Sequence, residues 1–261
     1  MIRQETIAST PTSEKRRLDF VYDSQSRRVS KKSYTWNGTA WALQDSRRFL
    51  YDQFNLIAEL DDSGAVINSY AWGIDLSGSM YGAGGVGGLL VVNNNNQNYF
   101  PSFDGNGNVL GYVNQTGSVT CQMEYGPFGE LLRATGSLPS AFGFSTKYRD
   151  SETGLKYYGY RYYSAGLGRW LGRDPIGEEG EMNLYGFCNN SPTIQFDAFG
   201  MRSATSGERA FWLALLGSPH MLKKGTGHSG VEAGFDSEGL SSGGGVAGAS
   251  AFSALASSFV F

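Results

Sequence analysis

Between residues 22 and 129 the chain returns repeatedly to one short pattern: an aromatic residue, then Asp or Gly, then a turn, then an alternating strand. Tyr22-Asp23, Tyr51-Asp52 and Phe103-Asp104 open three such units, and Tyr125-Gly126-Pro127-Phe128-Gly129 continues the third. In the second unit, Asn55–Leu60 reads as a strand, Asp61-Asp62-Ser63-Gly64 as a polar turn and residues 65–70 as a second strand. Two strands about a glycine-containing turn make a hairpin. Hairpins recurring at intervals of ~20 to ~50 residues predict an array in which each unit buries its face against its neighbours.

The composition fits this reading. The 261 residues include 37 Gly, 15 Tyr and 16 Phe but only 7 Pro. Glycine supplies positive φ at turns, and the aromatic rings pack on pleated surfaces. With 17% charged and 40% hydrophobic residues, the chain is too apolar for a disordered polymer. A formal net charge of −3 gives no basic footprint, so no nucleic-acid partner is expected. Lys15, Arg16 and Arg17 sit among acidic and polar neighbours and read as a solvated face.

Cys121 and Cys188 form no CxxC pair, and the only histidines are His220 and His228. A zinc site lacks ligands, and no metal or organic cofactor is expected. The cysteines read as buried thiols, with a disulfide left open. The histidines fall in a glycine-rich tail and read as exposed rather than as members of a Ser-His-Asp site. Residues 82–87 fit GxGxxG, but a strand and a turn follow where a dinucleotide site needs a helix, so a glycine-rich hairpin is expected. The run 157–163 reads as strand packing rather than a sugar-stacking platform. Residues 1–20 contain no apolar h-region, and no run reaches the ~18 apolar residues of a membrane helix. The nearest, 246–261, is broken by Gly and Ser. Export would then use a device that this segment does not encode, or the chain is a piece of a longer protein.

The units resemble the YD repeats of RHS proteins, Phe103-Asp104-Gly105-Asn106-Gly107-Asn108 closely and Tyr22-Asp23 more loosely. From Phe144 the chain resembles the RHS repeat-associated core. The ordered marks are Asp150-Ser151-Glu152-Thr153-Gly154-Leu155, Tyr157-Tyr158-Gly159-Tyr160-Arg161-Tyr162-Tyr163, Gly168-Arg169-Trp170, Arg173-Asp174-Pro175-Ile176-Gly177, Asn183-Leu184-Tyr185, Asn189-Asn190-Ser191-Pro192 and Asp197-Ala198-Phe199-Gly200. The expected organisation is an N-terminal segment over 1–19, YD repeats over 20–143, the core over 144–201 and a variable tail over 202–261. The fold class implied is all-β: antiparallel hairpins in a curved, partial-shell sheet with a core plug and a short helical or disordered tail. Too few repeats are present to close a shell, and open sheet edges are prone to associate. In the tail, Thr205-Ser206-Gly207-Glu208 reads as a capping box before a short apolar helix over 210–216.

The resemblance also implies a reaction. Many RHS cores cut their own chain after the core motif, through paired aspartates. Here these are Asp174 and Asp197, 23 positions apart as in the family, with Arg173 placed to orient one carboxylate. The implied scissile bond joins Met201 to Arg202. Two carboxyls that share a proton let one activate water while the other polarises the carbonyl. Ala198 and Met201 stand where the family pattern has Pro and Leu. The alternative is that both aspartates only cap turns.

Two functional readings follow. One is a toxin-delivery scaffold that releases its own tail, at most an aspartyl-type autoprotease. The other is a non-enzymatic cell-surface or secreted scaffold that binds a protein or glycan. A toxin domain needs ~100 residues to build a site, and the tail has 60 with two histidines. The partners implied are the chain's own tail, upstream RHS repeats, and a secretion-system or immunity protein. The location implied is secreted or cell-surface, cytoplasmic before export.

Overall fold

The structure, a computed structural model, describes residues 1–6 and 10–205. The expected tail helix, His220, His228 and the glycine-rich stretch lie outside the described residues. Eleven strands form one antiparallel sheet: β1 (Ile2–Glu5), β2 (Arg16–Tyr22), β3 (Arg28–Trp36), β4 (Trp41–Asp52), β5 (Asn55–Leu60), β6 (Val66–Trp72), β7 (Leu89–Asn94), β8 (Gln97–Phe103), β9 (Val109–Asn114), β10 (Val119–Tyr125) and β11 (Leu131–Gly136). Each strand pairs with its neighbours in sequence, and β1 and β11 each pair on one side only, so the sheet is an open meander.

One turn is reused throughout. The Asp61 N–H donates to Ala65 O (3.0 Å), and the Gly64 N–H donates to Asp61 O (3.2 Å). The same pair of bonds recurs from Asp75, Asp104 and Asn114. This is a type I turn followed by one left-handed residue. Gly64 (φ +92°) and Gly107 (φ +75°) supply that residue, as do the glycines of the other turns. In the looser first unit Ser26 takes the same position at φ 64°. The carboxylate adds local bonds: Asp61 Oδ1 accepts the Ala65 N–H and Asp104 Oδ1 the Asn108 N–H, each at 2.9 Å. A register shift falls at each unit's aromatic residue, between Val21 and Tyr22, Leu50 and Tyr51, Ala71 and Trp72, Ser102 and Phe103, and Glu124 and Tyr125. Repeated bulges bend and twist a sheet. One face accordingly wraps the segment that follows: Phe20 meets Tyr162, Phe49 meets Tyr148, and Tyr70 and Trp72 meet Phe142, with centroids 5.0–5.9 Å apart.

That segment is built of short pieces: β12 (Tyr148–Arg149), β13 (Lys156–Tyr157), β14 (Tyr162–Ser164) and β15 (Arg169–Trp170) form one small sheet, and β16 (Gln195–Asp197) pairs with β17 (Ser203–Thr205). Its interior is aromatic. Tyr163 stacks on Phe187 at 4.0 Å, and Tyr158 meets Trp170 edge-on at 4.9 Å. Such ring pairs contribute about 0.5–1.5 kcal/mol each beyond burial. The run 157–163 is thus packing, with Tyr157, Tyr158 and Tyr163 buried. Cys121 and Cys188 are buried free thiols.

A buried ionic clasp joins sheet to core. Arg28 Nη1 lies 2.6 Å from Asp150 Oδ2, and Lys31 Nζ lies 3.2 Å from Asp150 Oδ1 and 3.0 Å from Glu152 Oε2. A second network centres on buried Glu59, which accepts from Arg47 (2.7 Å), Asn68 (3.1 Å), Tyr148 (3.0 Å) and Tyr70. The basic cluster is not uniformly solvated. Arg16 is exposed, but Arg17 lies 3.9 Å over the Tyr34 ring and 3.4 Å from Asp19, because alternation turns it onto the aromatic rows of β3 and β4.

Candidate functional site

Strands β16 and β17 pair Asp197 with Ser203, so residues 198–202 form the connecting loop, which contains the bond between Met201 and Arg202. Asp197 is buried, and its Oδ1 accepts the N–H groups of Phe199 (3.0 Å), Gly200 (2.6 Å) and Met201 (3.2 Å). The loop carbonyls are held in turn. Lys147 Nζ donates to Ala198 O (2.7 Å), the Tyr160 N–H to Phe199 O (3.1 Å) and Arg161 Nε to Gly200 O. The Phe199 ring packs on Phe54, with centroids 5.1 Å apart. The glycine-rich loop 82–87 sits against this turn. A Cβ at Gly84 would fall 2.2 Å from Ala198 O, so only glycine admits the approach. Among the described residues no dinucleotide-type helix follows that loop; turns lead into β7.

Asp174 is also buried, and its Oδ1 accepts the Ile176 N–H at 3.0 Å. Arg161 brings the two aspartates together: its Nη2 is 2.9 Å from Asp174 Oδ2 and 3.6 Å from Asp197 Oδ2. A Cβ at Gly180 would lie 2.8 Å from Asp174 Oδ2 and 2.8 Å from the Met201 carbonyl oxygen, so these two oxygens are at most twice that distance apart. On the far side of the bond, Ser203 Oγ donates to Glu181 Oε1 at 2.8 Å. Arg173 is exposed and pairs with neither aspartate. The guanidinium between the carboxyls belongs to Arg161, which sequence reasoning did not single out. Its available signal was a charged residue inside a run of buried tyrosines, where a charge requires a buried partner.

Burial pushes the Asp197 carboxyl up to about 6, against the opposing pull of Arg161 and the three backbone donors. Burial likewise brings the Lys147 ammonium down to about 8, opposed by Asp197 and Asp75. One guanidinium therefore lies between the two buried carboxyls. Both aspartates also cap their turns, so the turn geometry and the paired carboxyls occur together. Among the described residues no group of three or more His, Cys, Asp or Glu is placed to hold a metal ion.

The family model described as Teneurin YD-shell matches residues 9–193. Toxin subunit YenC1 of Yersinia entomophaga is 39% identical over 94 residues, covering 34% of this chain and 10% of that protein. The tRNA3(Ser)-specific nuclease WapA of Bacillus spizizenii is 26% identical over 190 residues, covering 69% of this chain and 7% of that protein. The crystal structure of TcdB2-TccC3-Cdc42 superposes with a TM-score of 0.57 at 22% identity, over 76% of this chain and 10% of that one, and shares the fold. The chain spans about a tenth or less of the length of these relatives.

Proposed function

The chain belongs to the Teneurin YD-shell family, and from that premise we propose that it is part of a toxin-delivery shell that cuts its own chain between Met201 and Arg202. The observation that carries this is the meeting of Asp174 and Asp197 on Arg161, with the Met201 carbonyl beside Asp174 over Gly180. In the reaction, the ionised member of the pair takes a proton from water as the water oxygen bonds to the Met201 carbonyl carbon. The protonated member donates to the carbonyl oxygen. The C–N bond then breaks, the Arg202 nitrogen takes a proton, and a Met201 carboxylate is left. Arg161 orients both carboxyls, a role the sequence had suggested for Arg173. The released region is 202–261, and the core that makes the cut is 144–201.

Relatives described as a toxin subunit and a tRNA nuclease support the delivery reading, an exported location and a protein partner such as further repeats of the same shell. Among the described residues no helix is long and apolar enough to cross a membrane. The second reading, a non-enzymatic scaffold for a protein or glycan, is favoured by the three backbone bonds to Asp197 Oδ1, which a pure turn former also makes. The deciding measurement is intact mass of the full chain beside Asp174→Asn and Asp197→Asn. A cut after Met201 in the parent, absent from both variants, is expected. A parent left whole between pH 5 and 7 returns the aspartates to turn formation and favours the scaffold.

A further inference from the structure

Lys147 is a buried lysine that the aspartate pair does not by itself require. It follows a tight turn, Phe144–Thr146, in which Ser145 and Thr146 both hold positive φ (51° and 49°). Side-chained residues adopt that conformation only when their surroundings impose it. Here the surroundings are the glycine-rich loop and the turn before β9. Thr146 Oγ1 accepts the Gly87 N–H (2.8 Å) and donates to Gly107 O (2.7 Å), and Asn108 Oδ1 accepts the Ser145 N–H (2.7 Å). The Lys147 backbone is therefore fixed, and its ammonium reaches two carbonyls at 2.7 Å each, Gly84 O in the glycine-rich loop and Ala198 O in the loop that contains the scissile bond. Lys147 thus links those two loops through one side chain.

We propose that Lys147 is a positioning residue for self-cleavage: its ammonium ties Ala198 to the glycine-rich loop and so sets where Asp197 and the Met201 carbonyl sit relative to Asp174. The inference rests on the self-cleavage reading. Ala198 follows Asp197 directly, so a shift at its carbonyl is passed to the carboxylate on one side and to Met201 three residues on. Misplacements of about 1 Å slow reactions by around a hundredfold. The charged and titratable groups facing the ammonium are Asp197 on β16, Asp75 in the loop after β6, and Tyr158, whose ring centroid is 5.3 Å away. Burial brings the ammonium down to about 8, so charge, and with it the grip on two carbonyl oxygens, fades above about pH 8.

The test follows cleavage by intact mass between pH 5 and 7, where the aspartate pair still holds a proton, in the full-length parent, Lys147→Met and Lys147→Arg. Lys147→Met is expected to be at least tenfold slower than the parent at pH 6, and Lys147→Arg, which keeps a cation there, to recover the rate to within about threefold of the parent. Parental rates in Lys147→Met, or a Lys147→Arg as slow as Lys147→Met, overturn the proposal. A parent that never cleaves refutes self-cleavage separately. The clamp is then judged in an Asp174→Asn background by amide exchange at Phe199, Gly200 and Met201. Exchange at least tenfold faster with Lys147→Met, while β9 stays protected, supports the clamp, and unchanged exchange overturns it.

Discussion

Replacing Asp150 by Ala tests whether the clasp between sheet and core governs stability. Arg28 and Asp150 each have side chains 1% exposed, and Lys31 beside them is 4% exposed. The Arg28 guanidinium is also surrounded by rings, with the centroids of Phe20, Phe49, Tyr148 and Tyr157 between 4.8 and 5.3 Å away. A guanidinium cannot shed its proton. Lys31 keeps Glu152 as a partner, whereas Arg28 loses its only carboxylate within salt-bridge distance among the described residues. Breaking one member of a buried pair in this way costs about 3–5 kcal/mol. With a urea slope of about 2–3 kcal/mol/M, the unfolding midpoint drops by about 1–2.5 M. Replacing both partners by apolar residues, Arg28→Met with Asp150→Leu, is expected to recover most of the loss, because the uncompensated charge disappears with its partner. The assay is tryptophan fluorescence in urea on parent, single and double variants. A midpoint in Asp150→Ala within about 0.3 M of the parent, on the same slope, refutes the claim that the clasp carries the contact between sheet and core.

Gly180→Ala adds a methyl 2.8 Å from both Asp174 Oδ2 and Met201 O at a backbone conformation alanine accepts (φ −77°); cleavage by intact mass is expected to slow about tenfold to a hundredfold with the urea midpoint little changed. Asp197 carries a folded-state value of about 6 against 3.8 in the free side chain. The fold therefore holds the extra proton, its contribution is fully present below about pH 4, and about 3 kcal/mol is lost as pH rises through 6. Subtracting the urea midpoints of Asp197→Asn from those of the parent between pH 4 and 7 should reveal this slope; a flat difference argues against it. Gly107→Ala forces a Cβ 2.6 Å from Val86 Cγ1 at φ +75° and is expected to cost at least about 1–3 kcal/mol from the left-handed strain alone, read in the same urea assay.

The hairpins were legible because their determinants are local. Asn55–Leu60 spans β5 as its alternation indicates, and Asp61-Asp62-Ser63-Gly64 closes the turn that its aspartate and glycine encode. The all-β meander follows from repeating that unit. The site was legible only in part. Asp174 and Asp197 are named by a motif, but what links them is not close in sequence. Arg173 adjoins Asp174, yet neighbours in extended chain point to opposite sides, and it faces solvent while Asp174 faces inward. Arg161 reaches Asp174 from 13 residues away along the chain and Lys147 reaches Ala198 from 51. Their only sequence trace is a basic residue set among buried aromatics. The contact of the glycine-rich loop with Ala198 depends on tertiary folding alone.

The meander also sets an order of assembly. Each strand of the large sheet bonds only to strands that immediately precede or follow it, so every pairing closes a short loop and loses little chain entropy. The contacts from Arg28 to Asp150 and from Lys31 to Glu152 span 122 and 121 residues, and contacts of that range close after the local pairings. Such a sheet can form hairpin by hairpin along the chain. Asp174 and Asp197 meet only after the final residues of the core have arrived, so the proposed cutting site is assembled by the same step that completes the fold.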